Sequence, residues 1–143
     1  MGLVVTVERN GLGAVFDYSG VVSGEEAYRE SKALYTPHNL KYLKYQIVDL
    51  RQASRIEIST EEIKKLAELD KEAARDAGGF FIASIVDHDL QESLSMFYRT
   101  YANDLFIIAK IFRSMEDARE WLDTSLKEKS FKAKFDINAP VSE

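Results

Sequence analysis

Hydrophobic residues along the chain fall into short alternating or continuous runs, separated by longer stretches with helical spacing. Val4-Val5-Thr6-Val7-Glu8 and Ala14-Val15-Phe16-Asp17-Tyr18 are β-branched and aromatic runs of strand length, with Asn10-Gly11 between them. Asn-Gly is a strong hairpin signal because both residues tolerate positive φ, so the chain is expected to open with an antiparallel pair. Ser23 then precedes Gly24-Glu25-Glu26, a Ser-x-x-Glu capping box that starts a helix. The apolar arc of that helix is Ala27, Tyr28, Leu34 and Tyr35. Thr36-Pro37 closes it, because the residue before proline avoids the helical region.

The same alternation of signals continues. Tyr45 to Leu50 is a strand-length apolar run, and Ser59 with Glu62 forms a second capping box for a helix through about Ala77. Gly78-Gly79 ends that helix by supplying the left-handed turn after a helix C-terminus. Phe80 to Val86 is nearly continuous in apolar residues, as suits a strand covered on both faces. Asp89 and Glu92 suggest a third capping box, for a helix to about Ala102 buried through Leu90, Leu94, Phe97 and Tyr101. Leu105 to Phe112 reads as a strand, and Met115 to Leu126 as a helix with Ala118, Trp121, Leu122 and Leu126 on one face.

The predicted order is β-β-α-β-α-β-α-β-α: an α/β fold with a mixed five-stranded sheet. Strands separated by helices pair in parallel through right-handed crossovers, and the opening hairpin adds one antiparallel member. Residues 1–129 are expected to form one domain. The remainder, 130–143, is expected to be an extended arm or extra strand, because Phe131, Ala133, Phe135 and Ile137 alternate with Lys132, Lys134 and Asp136. Such an arm would lie along its own sheet edge or cross to a second copy of the chain.

Composition narrows the function more than the fold. With 45% apolar and 30% charged residues, neither disorder nor a fibre is indicated. No apolar run approaches the ~18 residues of a spanning helix. The N-terminus lacks the basic start and apolar block of a secretory signal, so a cytoplasmic location is expected. The absence of cysteine removes thiol nucleophiles, disulfides and thiolate metal sites. A net charge of −5 argues against a general grip on nucleic acid or an anionic membrane. Lys41, Lys44 and Arg51 are the nearest approach to a basic patch. With only His38 and His88 available, no metal or other cofactor is expected.

Two short motifs carry a family resemblance, Asp49-Leu50-Arg51 after the third strand and Glu116-Asp117-Ala118-Arg119-Glu120-Trp121-Leu122 in the last helix. Together with the element order over residues 3 to 127, they resemble the STAS superfamily, and within it the small SpoIIAA-like (STAS/SEC14-type) proteins. The resemblance implies a STAS-like (SpoIIAA-like) fold and a non-catalytic protein-interaction or regulatory module, as in the bacterial anti-sigma-factor antagonists. Phosphorylatable members carry a motif resembling Asp-Ser-Ser-Gly, which falls here on Glu57-Ile58-Ser59-Thr60. Only Ser59 is identical. Thr60 replaces the glycine, and Glu61 and Glu62 oppose a phosphate at a helix start that would otherwise favour one. Ser59 is therefore a possible phosphorylation site by resemblance, and a helix N-cap contributing ~1 kcal/mol by its local pattern.

Ligands of open α/β sheets sit beyond the carboxyl ends of parallel strands. Here those ends carry Asp49 and Arg51, Asp87 and His88, and Arg113, and parallel pairing would put them on one edge with Ser59. Such an edge suits an anionic or lipid ligand, or a proton transfer, as the alternative to an interaction module. Each residue has a plainer reading: Asp87 and Asp89 as N-caps, His88 as a loop residue, the arginines as partners of neighbouring carboxylates. Asp70 is anomalous, since it lies inside the apolar arc of its helix. It is expected either to contact a partner at an interface or to sit half-exposed where the helix overhangs the sheet. Tyr28, Tyr35, Tyr98 and Tyr101 read as core with hydroxyls reaching the rim. A protein partner is expected, with a homodimer or a small-molecule ligand as further options.

Overall fold

The computed structural model describes residues 2–128. In chain order it contains β1 (Leu3–Glu8), β2 (Gly13–Ser23), α1 (Gly24–Leu34), α2 (Pro37–Tyr42), β3 (Tyr45–Glu57), α3 (Thr60–Ala77), β4 (Phe80–Ile85), α4 (Asp89–Ala102), β5 (Ile107–Phe112) and α5 (Met115–Lys127). The arm expected at 130–143, with Phe131, Phe135 and Ile137, lies outside the described residues. The strands lie side by side in sequence order, with β1 antiparallel to β2 and each later pair parallel. This is the mixed five-stranded sheet the sequence predicts.

Local signals explain most boundaries. The Ser59 hydroxyl accepts from the Glu62 amide at 3.1 Å while the Glu62 carboxylate accepts from the Ser59 amide at 2.8 Å, so the second capping box is complete. Gly78, with φ 83°, ends α3 in the left-handed conformation. Thr36-Pro37 does more than stop α1. The Thr36 hydroxyl accepts from the Asn39 amide at 3.1 Å and Pro37 takes the first helical position, so the same pair starts α2, a helix the sequence pattern did not separate. At the opening hairpin the connection is a single helical turn, with Arg9, Asn10 and Gly11 all at positive φ.

The sheet has two unlike faces. Ala14, Phe16, Tyr18, Leu50, Phe80 and Ile82 point to a layer built from α1, α2, α3 and α4. Val15, Tyr45, Ile47, Phe81, Ala83 and Ile85 point the other way, where α5 covers them through Ala118 and Leu122. Close approach is needed at one point on that side: a Cβ on Gly13 would lie 2.0 Å from the Tyr45 ring.

The phase of α4 departs from the sequence pattern. Leu90, Leu94, Phe97 and Tyr101 were expected inward; Leu94 and Tyr101 are half-buried at the inner margin, but Leu90 is 68% and Phe97 36% exposed, while Gln91, Ser95 and Ala102 are buried. The helix is turned by about one residue, roughly 100°. Gln91 explains the turn. Its Nε2 donates to the Leu50 carbonyl at 2.7 Å, just past the last β3–β4 pair at Asp49 and Ile85. Its Oε1 accepts from the Asp87 amide at 2.8 Å. One buried amide thus ties α4 to the diverging ends of two strands. Satisfying those backbone groups outweighs burying two more apolar side chains. The helix also starts a residue earlier than expected, with His88 at the N-cap and Asp89 inside the first turn.

Candidate functional site

The carboxyl ends of β3 and β4 bring part of the expected edge together. Arg51 grips Asp49 with two side-chain bonds, Nε to Oδ1 at 3.0 Å and Nη2 to Oδ2 at 2.9 Å. Its amide adds a third bond to the same carboxylate, at 3.1 Å. Burial pushes the Asp49 carboxyl up, but the Arg51 guanidinium and amide outweigh it and hold the carboxyl below its ordinary value. Asp17, paired in register with Asp49, is raised by burial and by that neighbouring charge. Asp87 lies close enough to act on Arg51 electrostatically, but its own side chain is exposed, as is His88.

The other members of the expected edge go elsewhere. β3 continues to Glu57, about 20 Å beyond Arg51, and carries Ser59 away from the strand ends. Arg113 is exposed and bonds to Asp89 at 3.4 Å and to Glu92, both on α4. Lys44, read as part of a basic patch, donates to the Ala77 carbonyl at the end of α3, at 2.7 Å. The edge is thus a closed ion pair with acidic neighbours. Among the described residues no cluster of three or more metal-ligating side chains occurs.

A cleft opens instead between the sheet and the layer formed by α1, α3 and α4, with a volume of about 90 Å³. Its floor is the middle of the sheet, where Val48 and Ser84 stay partly exposed. Its walls are mostly apolar, with Phe16, Ile63, Leu66, Ile82 and Leu94 prominent. Ile56 and Ile58, on and just past the extended end of β3, line it as well. Set into this lining are Ser31, Gln46, Ser95 and Asp70, all buried. Gln46 is a polar residue inside a largely apolar strand run, a sequence signal for this site that went unread.

Asp70 is the centre of the polar part, and its position corrects the expectation of a half-exposed or interface carboxylate. It is 5% exposed. The Tyr35 hydroxyl donates to its Oδ1 at 2.7 Å and the Tyr98 hydroxyl donates to its Oδ2. Gln46 Nε2 in turn donates to the Tyr35 oxygen at 2.7 Å. The two tyrosines therefore turn their hydroxyls inward rather than to the rim. Burial pushes the Asp70 carboxyl up to about 6, even though both hydroxyls pull the other way. Tyr18, Tyr35 and Tyr98 are raised by burial first, with the Asp70 charge adding to it.

Above the cleft, the outer side of α4 presents an apolar stripe. Leu90, Met96 and Phe97 are exposed there, while Leu94 and Tyr101 stay half-buried at its inner margin. Phe97 and Tyr101 stack edge to face with ring centres 5.2 Å apart, so the stripe is ordered by its own contacts.

Comparison with known proteins supports the architecture. The crystal structure of an uncharacterised protein of the DUF3478 family with a SpoIIAA-like fold, from Shewanella loihica PV-4, superposes with a TM-score of 0.58 at 20% identity. The match covers 85% of this chain and 94% of that one. No family model matches the chain, and no curated protein matches it. The chain therefore has a SpoIIAA-like fold. Among the described residues no helix is long and apolar enough to cross a membrane.

Proposed function

We propose that this chain is a non-catalytic interaction module of the STAS type, working in the cytoplasm, whose docking face is the outer side of α4. The occupant is a partner protein that lays an apolar helix across Leu90, Met96 and Phe97. The observation that carries this reading is the turned phase of α4: a buried glutamine holds the polar stripe inward and leaves Leu90, Met96 and Phe97 facing out. Leu90 and Phe97, seven residues apart on a 14-residue helix, match the spacing of helix-on-helix packing. An exposed apolar patch beside a cleft marks an interaction site.

The alternative at the strand ends, a ligand among Asp49, Arg51, Ser59, Asp87, His88 and Arg113, has less support. Asp49 and Arg51 satisfy each other, Arg113 is engaged on α4, and Ser59 stands apart. Ser59 is read here as a cap rather than a switch, since its hydroxyl accepts from Glu62 and the Glu62 carboxylate sits beside it.

Photo-crosslinking from position 97, compared with position 117 on α5, tests the docking face. The expected result is one protein adduct from position 97 alone. That protein, once purified, should bind the wild-type chain and lose at least about tenfold in affinity to the Leu90→Asp, Phe97→Asp double variant, with the fold intact by circular dichroism. Equal adducts from both positions, or adducts only to a second copy of this chain, would overturn the proposal.

A further inference from the structure

Asp70 is a buried carboxylate with no counter-cation among the described residues. Among the described residues, the groups that face it are hydroxyls: Tyr35 from α1, Tyr98 from α4 and Tyr18 from β2, with Gln46 of β3 behind Tyr35. No lysine, arginine or histidine among the described residues pairs with it. Glu8, the other carboxylate held by a tyrosine, has a guanidinium directly on it. Each Asp70 oxygen accepts one hydroxyl bond and retains a second lone pair. The carboxyl lines the cleft, so the missing partner has a route to it.

We propose that the cleft between the sheet and α1, α3 and α4 is a binding site for a small organic ammonium ion with an apolar body. Its nitrogen lies against Asp70, and its hydrocarbon part lies along Ile63, Leu66, Ile82 and Leu94. The lining also offers acceptors for the remaining N–H donors, because Ser31, Gln46, Ser84 and Ser95 set polar oxygens among its aliphatic and aromatic side chains. An anion would meet the carboxylate unfavourably. A neutral alcohol would leave the buried charge uncompensated, whereas an ammonium removes that cost as it binds. The space of about 90 Å³ admits several water-sized groups, which limits the guest to roughly four to six carbons.

This proposal stands apart from partner docking, since it concerns the cleft side of α4, with Leu94, Ser95 and Tyr98, and not the outer side with Leu90, Met96 and Phe97. Three probes of one length test it: n-pentylamine, 1-pentanol and pentanoate, titrated into the full chain at constant ionic strength. Calorimetry would follow affinity, and amide chemical shifts would locate the site. At pH 7.5 the amine should bind at least about tenfold more tightly than the alcohol, and pentanoate more weakly than either. Shifts should cluster around Asp70, Ser95 and Tyr98. On going to pH 5 the amine should lose its advantage, because Asp70 then carries a proton while the amine stays charged. Asp70→Asn should bind amine and alcohol alike. If that variant does not fold, the amine-to-alcohol ratio of the wild-type chain at the two pH values decides alone. Equal binding of amine and alcohol at pH 7.5, no binding of either, or an amine preference that survives in Asp70→Asn would overturn the proposal.

Discussion

The two faces of the sheet each hold a carboxylate against tyrosine, and the two behave oppositely. On the α5 side, Glu8 at the end of β1 accepts from the Tyr45 hydroxyl. It also accepts from both Arg119 nitrogens, Nη1 to Oε2 at 2.9 Å and Nη2 to Oε1 at 3.0 Å. On the other side, Asp70 accepts from Tyr35 and Tyr98 and from no cation among the described residues. The Arg119 bond is the main influence on Glu8 and overrides its burial, holding the carboxyl below its ordinary value. Burial wins at Asp70 and pushes it up to about 6. Two neutral hydroxyls do not replace the solvation a carboxylate loses on burial, whereas one bidentate guanidinium beside a half-exposed carboxylate does. Tyr45 illustrates the converse cost: burial, with Glu8 adding, pushes its hydroxyl up to about 12.

The largest expected effect comes from removing the charge of Asp70. The Asp70 carboxyl is raised from 3.8 to about 6. Its protonated form therefore favours the folded state, by an amount fully present below about pH 4 and lost as pH rises through 6. That loss is on the order of 3 kcal/mol. Asp70→Asn keeps an acceptor for one tyrosine and removes the charge. It should remain about as stable as wild type near pH 4, exceed it by up to about 3 kcal/mol at pH 7.5, and lose the corresponding slope between them. Urea denaturation across that range checks this.

A smaller effect is expected at the other cluster. Arg119→Met keeps the stem and removes the guanidinium, leaving Glu8 with the Tyr45 hydroxyl alone among its side-chain partners there. Because Glu8 and Arg119 are both partly exposed, the cost at pH 7 should be only about 1 kcal/mol. The Glu8 carboxyl should move up toward the behaviour of Asp70. Its lowered value makes the wild-type contribution one that is present above the usual glutamate range and lost as pH falls, so the variant should lose less stability on acidification. Thermal melting at pH 7 and pH 4 would show whether a guanidinium is what separates the two sites.

What the sequence revealed of this follows the range of the interactions. Local pairs were readable: the Ser59–Glu62 box spans one helical turn, and Asp49–Arg51 lies within two residues of one strand. The Asp70 anomaly was also readable, as a charge inside an apolar arc. Its outcome was not, because the hydroxyls that make burial tolerable come from Tyr35 and Tyr98, 35 and 28 residues away. The phase of α4 was misjudged for a related reason. Periodicity places Leu90 and Phe97 inward, but the Leu50 carbonyl that engages Gln91 lies 41 residues back, and only the divergence of β3 from β4 leaves it in need of a donor. Thr36-Pro37 was read as a stop signal alone, although proline at a first helical position is compatible with a start.

Carbon-13 titration of the side-chain carboxyls in the wild-type chain tests the central contrast most directly. The expected result is a midpoint near 6 for Asp70 and one below the ordinary glutamate value for Glu8. An Asp70 midpoint at or below its ordinary value of 3.8 would contradict the account, because it would mean that the buried carboxylate already has the compensation that the cleft is here proposed to lack.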